Sequence, residues 1–163
     1  NDDNGPNSGS AYLFDTTTGE QFFKLTARDA AAGDWFGWSV GISGTTAIVG
    51  AFSDDDNGCG SGSAYLFDIT TGSQIAKLTA RDAAVGDWFG YHVAISGATA
   101  IVGAFYHDAS GSAYLFAVPE PTFATRYVLG YSAVFVWFAV VGLVWLRRRM
   151  KGGVRVSGFE VRA

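Results

Sequence analysis

The chain has 163 residues, 48% hydrophobic and 16% charged, with a formal net charge of −4 at pH 7. That total joins two parts of opposite sign: residues 1–118 carry thirteen acids against four bases (net −9), and residues 119–163 carry seven bases against two acids (net +5). An acidic amino-terminal part argues against nucleic-acid binding, which needs cations to neutralise phosphates, and the single cysteine, Cys59, excludes an intrachain disulfide.

Taken in chain order, the acidic part is a repeat. Ser8-Gly9-Ser10-Ala11-Tyr12-Leu13-Phe14-Asp15 returns 53 residues later as Ser61-Gly62-Ser63-Ala64-Tyr65-Leu66-Phe67-Asp68. Only ten of the 46 positions in 8–53 differ from their counterparts in 61–106, and a third copy opens four residues early at Gly111-Ser112-Ala113-Tyr114-Leu115-Phe116. A period near fifty residues predicts propeller blades or a related array. Four short strands are expected per period. Ala11–Phe14 and Gln21–Leu25 form a hairpin about Thr16-Thr17-Thr18-Gly19. The strand Phe36–Ile42 sets Phe36, Trp38 and Val40 on one face and Gly37, Ser39 and Gly41 on the other; Ser43-Gly44 then turns the chain into Thr46–Ala51. The second set is Ala64–Phe67, Gln74–Leu78, Phe89–Ile95 and Thr99–Ala104. A bulky face opposite a small one lets stacked sheets interlock at interior density.

The expected fold class is all-β: a partial β-propeller of about two four-stranded blades plus one strand over residues 1–117, followed by a single C-terminal transmembrane helix. Two blades do not close a ring. Asn1 opens inside a repeated loop, with neither an initiator methionine nor a signal peptide, so further blades are expected upstream.

Phe36-Gly37 with Gly50-Ala51, and Phe89-Gly90 with Gly103-Ala104, resemble FG-GAP repeats, the blades of the integrin α-subunit propeller and of many bacterial surface proteins. The resemblance covers roughly residues 1–116, with Phe52 and Phe105 where the family often has proline. It implies a non-catalytic module that binds an extracellular protein or glycan. The family's calcium loop lies between its Phe-Gly and its Gly-Ala; here that interval holds only Ser43-Gly44-Thr45 or Ser96-Gly97-Ala98, so the family's metal ligands do not carry over.

Acids cluster elsewhere, in Asp54-Asp55-Asp56-Asn57-Gly58 and its counterpart Asn1-Asp2-Asp3-Asn4-Gly5. Two readings stand. Side chains alternate along an extended segment, so Asp54 and Asp56 can face one ion while Asp55 does not; together with Asn57 and backbone carbonyls they are the candidate Ca2+ ligands. The alternative is a solvated loop closed by an Asn-Gly turn. Neither His92, His107 nor Cys59 has a partner nearby in sequence, and each is expected to be structural. Asp29, Asp34, Asp82 and Asp87, beside Arg28 and Arg81, are expected to make turn hydrogen bonds and ion pairs. A catalytic centre needs distinct residues in distinct roles, whereas these repeats offer nearly one set twice, so no enzyme activity is expected.

The basic part has three segments in order: Val118-Pro119-Glu120-Pro121, an uncharged run from 127 to 146, and Arg147-Arg148-Arg149. Twenty helical residues span about 30 Å, the thickness of a bilayer's hydrocarbon core, and this run is apolar all round. The three arginines are expected to stay on the cytoplasmic side and orient the span. This ordered triple resembles the PEP-CTERM sorting signal of exported bacterial proteins. The resemblance implies a sorting and anchor segment over 118–150, read by a membrane-embedded exosortase. It also implies an inner-membrane-anchored precursor that passes to the cell surface or extracellular matrix. The family usually stops soon after the arginines; here a basic tail, 151–163, expected to be disordered, continues. The function expected is a surface- or matrix-associated binding or adhesion module. The alternatives are a structural coat or biofilm component, or the accessory propeller of a larger secreted hydrolase.

Overall fold

In the computed structural model, residues 1–119 are described. Short runs rich in Val, Ile, Phe and Tyr, broken by glycine turns, give nine strands. They are β1 (Ala11–Phe14), β2 (Gln21–Leu25), β3 (Ser39–Ser43), β4 (Thr46–Ala51), β5 (Ser63–Asp68), β6 (Ser73–Leu78), β7 (Phe89–Ser96), β8 (Thr99–Ala104) and β9 (Ser112–Ala117), with a short 3₁₀ turn at His107–Ala109. At the β3–β4 hairpin Ser43 pairs with Thr46 around a two-residue loop, where Gly44 takes φ +55°, a conformation only glycine adopts freely. In the β1–β2 and β5–β6 turns, Asp15 and Asp68 accept the backbone N–H groups of Thr17 and Thr70 at 2.7 and 2.8 Å.

The strands form antiparallel sheets of two (β1-β2), four (β3-β4-β5-β6) and three (β7-β8-β9). This corrects the expected division into two four-stranded blades plus one strand. A sheet does not coincide with a sequence period; it begins halfway through one and ends halfway through the next. The physical reason is how the connections fold: the loop after β4 doubles back on itself, the Gly62 N–H donating to the carbonyl of Asp54 at 2.9 Å. The stretch from Thr26 to Trp38 carries the chain away from β2 to a new sheet, whereas the loop after β4 returns β5 to its side in full register, Ile48 opposite Leu66. The third copy repeats that pairing, with Ile101 opposite Leu115. The strand expected over Phe36–Ile42 also starts later, because Gly37 takes φ +93° and Phe36 forms only an isolated bridge to Gly9.

Every residue of β4 and β5 is buried, because their sheet is covered on both faces. One face sets Ile48, Ala64 and Leu66 against Phe89, Val102 and Ala104; the other sets Val49, Tyr65 and Phe67 against Leu25, Ala27 and Phe36. Each large apolar side chain removed from water contributes about 1.5–3 kcal/mol. Phe36 packs edge-on against Tyr65 and Phe67 with centroids at 5.5 and 5.8 Å, and Phe89 lies 5.6 and 5.9 Å from Tyr114 and Phe116. The expected interlocking of small and bulky faces holds between the middle and last sheets. A Cβ at Gly41 would sit 3.2 Å from Ile48 and 3.6 Å from Ile95, and one at Gly50 would collide with the carbonyl oxygen of Gly90. That carbonyl also accepts a hydrogen bond from Ser39 Oγ at 2.7 Å.

Val118, the first residue of the Val-Pro-Glu-Pro motif, packs with the β-fold: it is buried, and its N–H donates to the carbonyl of Ala98 at 2.9 Å. Glu120, Pro121, the expected helix over 127–146, Arg147-Arg148-Arg149 and the tail over 151–163 lie outside the described residues. Among the described residues, no helix is long and apolar enough to cross a membrane.

Candidate functional site

Two features of the described residues carry chemistry on the surface: an aromatic patch, and a set of charged junctions between repeats. The patch begins with a turn that each repeat builds in the same way. Asp34 and Asp87 are buried and close their turns by accepting the N–H groups of Ala31 and Ala84 at 2.6 and 2.7 Å. Burial pushes the Asp34 carboxyl above its ordinary value. The next residues, Trp35 and Trp88, sit at φ +54° and +55°. That left-handed region costs a bulky residue about 1–2 kcal/mol. It is held by hydrogen bonds from the Trp35 and Trp88 N–H groups to the carbonyls of Asn7 and Gly60, both at 3.0 Å.

The strained turns bring the rings together on one surface. Trp38 lies 6.2 Å from Trp35, 5.0 Å from Phe52 and 5.4 Å from Tyr91, centroid to centroid. Phe52 lies 5.5 Å from Trp88, which stacks on Tyr91 at 5.8 Å and meets Tyr106 edge-on at 4.6 Å. Tyr91 stacks in turn on Phe105 at 5.5 Å. Trp35, Trp38, Phe105 and Tyr106 remain 43%, 49%, 53% and 51% exposed. A neighbouring cavity of about 210 Å³ is lined by Asn7 and Ser10 together with Trp35 and Trp38.

The charged junctions hold the candidate metal ligands. Asp54 and Asp56 do converge, as the alternation of side chains requires, and Asp29 from the preceding repeat joins them: carboxylate oxygens of the three lie within 4.8 Å of one another. Asn57 takes another part, donating its backbone N–H to Ser61 Oγ at 3.2 Å. The Lys77 ammonium stands among the three carboxylates, 2.7 Å from Asp29, 3.0 Å from Asp54 and hydrogen-bonded to Asp56. Tyr65 donates its hydroxyl to Asp54 at 2.6 Å. Lys77 thus supplies one of the positive charges that a calcium ion would otherwise bring, and a divalent ion seated there would face an ammonium at contact distance. Burial opposes the charge on Lys77, but the hydrogen bonds it donates to Asp29, Asp56 and Asp54 outweigh it and hold the ammonium above its usual range. Asp29 is desolvated too, yet its bond from Lys77 keeps the carboxyl below its ordinary value. Burial and the Asp54 carboxylate push the Tyr65 hydroxyl far up.

The other junctions vary this arrangement. In the first, Lys24 pairs with Asp3. In the third, the position of Asp54 is taken by His107, which is nearly buried, with Nδ1 at 2.9 Å from Asp87 and Nε2 at 3.6 Å from Asp82 and 3.5 Å from Asp108. The hydrogen bond to Asp87 raises His107 above the ordinary histidine value despite desolvation. Tyr114, the counterpart of Tyr65, donates to Asp82 at 2.8 Å, and burial with this bond pushes its hydroxyl up to about 12.

The expected turn hydrogen bonds are thus found at Asp34 and Asp87, but the ion-pair partners of Asp29 and Asp82 are Lys77 and His107 rather than the adjacent arginines; Arg28 binds the Gln74 carbonyl at 2.8 Å. His92 is exposed beside Tyr91, centroids 4.9 Å apart, and Cys59 is an exposed free thiol. Lys77, Asp29 and the His107–Asp87 pair were not recognisable as partners in the sequence, because they lie 48 and 20 residues apart. The 53-residue recurrence of Trp35 and Trp88 was the available signal for the aromatic surface.

A search of curated proteins finds none that matches the chain. The FG-GAP repeat family matches residues 20–67 and 73–116, more than half of the sequence, in two segments that each contain one of the Phe-Gly and Gly-Ala pairs. The chain therefore belongs to the FG-GAP repeat family.

Proposed function

We propose that this chain is the non-catalytic binding part of an exported protein, displayed on the cell surface or in the extracellular matrix. FG-GAP repeats suggest a propeller-type extracellular binding module. The observation that carries the reading is the aromatic surface: two copies of a strained turn gather large rings on one surface and leave Trp35, Trp38, Phe105 and Tyr106 exposed, and binding is the use that offsets that cost. The sorting part of the proposal rests on Val118-Pro119-Glu120-Pro121, the apolar run over 127–146 and Arg147-Arg148-Arg149. An exosortase-type enzyme would read this segment while the apolar run would hold the precursor in the inner membrane. A resident metal is not part of this proposal: Lys77 contacts Asp29, Asp54 and Asp56 and offsets one of their three negative charges.

The test of the binding role compares the parent with Trp35→Ala/Trp88→Ala for retention on native cell-surface material. The double variant is expected to wash off under conditions that retain the parent; equal retention would refute the role. For the sorting role, Pro119→Ala/Pro121→Ala is expected to hold the precursor in the membrane, and equal release of variant and parent would refute it.

A further inference from the structure

We propose that the aromatic surface is a stacking platform for an uncharged polysaccharide; this rests on the binding-module reading and names the partner class. Three observations select that chemistry. The first is the nature of the patch. Trp35, Trp38 and Phe105 present exposed flat rings rather than aliphatic chains, backed by the half-buried Phe52, Trp88 and Tyr91. A pyranose offers a matching flat C–H face, and an amphipathic ring partner suits a ligand that stays largely hydrated. Asn7 and Ser10, in the cavity beside Trp35 and Trp38, add an amide and a hydroxyl suited to sugar hydroxyls.

The second is charge. Residues 1–118 carry net −9, which repels anionic glycans and anionic lipid surfaces alike. Of the four bases, Lys24 and Lys77 are committed to carboxylates, which leaves Arg28, bound to the Gln74 carbonyl, and Arg81 against the acidic surplus. A neutral polymer meets no such repulsion.

The third is repetition. Trp35, Trp38 and Phe52 recur 53 residues on as Trp88, Tyr91 and Phe105, and the two triads are joined by the Trp38–Tyr91 and Phe52–Trp88 contacts. Exposed rings from both copies, Trp35 and Trp38 from the first and Phe105 from the second, fit a ligand that repeats along its own length, whose second contact is made at high effective concentration. A globular protein partner would present no such repeat.

The experiment is native gel electrophoresis of the full chain, solubilised in mild detergent, in gels containing hydroxyethylcellulose, galactomannan or xyloglucan, with alginate as the charged control. Retardation by at least one neutral polymer is expected, with none by alginate. Trp35→Ala/Trp88→Ala is expected to weaken the effect about tenfold or more, while Trp35→Tyr/Trp88→Tyr keeps most of it. Should the alanine pair lose its thermal unfolding transition, Phe105→Ala, which removes a half-exposed ring, carries the comparison. No retardation by any of the three neutral polymers, retardation by alginate alone, or equal retardation of parent and ring-deleted variants would overturn the proposal. Retention on native surface material that protease treatment abolishes and glycosidase treatment spares would overturn the glycan assignment while leaving the binding role standing.

Discussion

Val40 and Ile42 in β3 have the same identities as Val93 and Ile95 in β7, 53 residues on, yet the two pairs live in different surroundings. Val40 and Ile42 are 63% and 58% exposed beside an apolar groove of about 330 Å³. Val93 and Ile95 pack against the core formed with the middle sheet, next to Gly41 and Ile48. Burial here is set by the neighbouring sheet and not by the residue. The middle sheet presents its edge strand β3 and the adjacent β4 to β7; the first sheet has only the pair β1 and β2, which lie over Tyr65 and Phe67 instead of over β3. The charged junctions teach the same lesson, since nearly one framework holds a lysine in the second repeat and a histidine in the third.

Substitutions can break or sharpen this comparison. The largest effect is expected at Phe89, fully buried between the middle and last sheets. Phe89→Ala should cost about 3–5 kcal/mol in urea unfolding, and a loss below about 1 kcal/mol would contradict the described packing. Lys77→Met comes next. It strands the buried Asp54 carboxylate without its cation, at a cost of about 3 kcal/mol, the low end for a broken buried pair. An undiminished thermal midpoint would show that Lys77 is not the counter-charge. The same variant should respond to added calcium if the three carboxylates then accept an ion, whereas the parent's midpoint should not move on chelation.

Val93→Ala against Val40→Ala is the sharpest version of the comparison. The first should cost about 1 kcal/mol more than the second, because only Val93 leaves a cavity; equal costs in denaturant titrations would mean that both faces are covered. The smallest effect is a pH dependence. His107 is raised in the folded state, chiefly by its bond to Asp87, so its contribution is fully present below the unfolded value near 6.5 and is lost as pH rises through the higher folded value. The parent's midpoint should therefore fall more than that of His107→Gln between about pH 6 and 9. Parallel curves would remove His107 from the account.

Most strands were legible in the sequence, because β-branched and aromatic runs between glycine turns leave little choice; Thr46–Ala51 was expected as it is found. Sheet membership was not. A repeat has no intrinsic starting point, so Ala11–Phe14 and Thr46–Ala51 read as one unit although β4 pairs with β5 and β1 with β2 alone. At the candidate site, the convergence of Asp54 and Asp56 followed from side-chain alternation, but nothing local pointed to Asp29 or Lys77. The recurrence of Trp35, Trp38 and Phe52 was visible. Their gathering on one surface was not, because it depends on the left-handed backbone at Trp35 and Trp88 and on the approach of Phe52 to the next repeat.

Hydroxyl-radical footprinting of the full chain, alone and bound to native cell-surface material, tests the central claim most directly. Modification of Trp35, Trp38, Phe105 and Tyr106 is predicted to fall on binding, while Val40, Ile42 and Leu115, equally open to solvent, keep their reactivity. Protection of Val40 and Ile42 with the rings left reactive would contradict it.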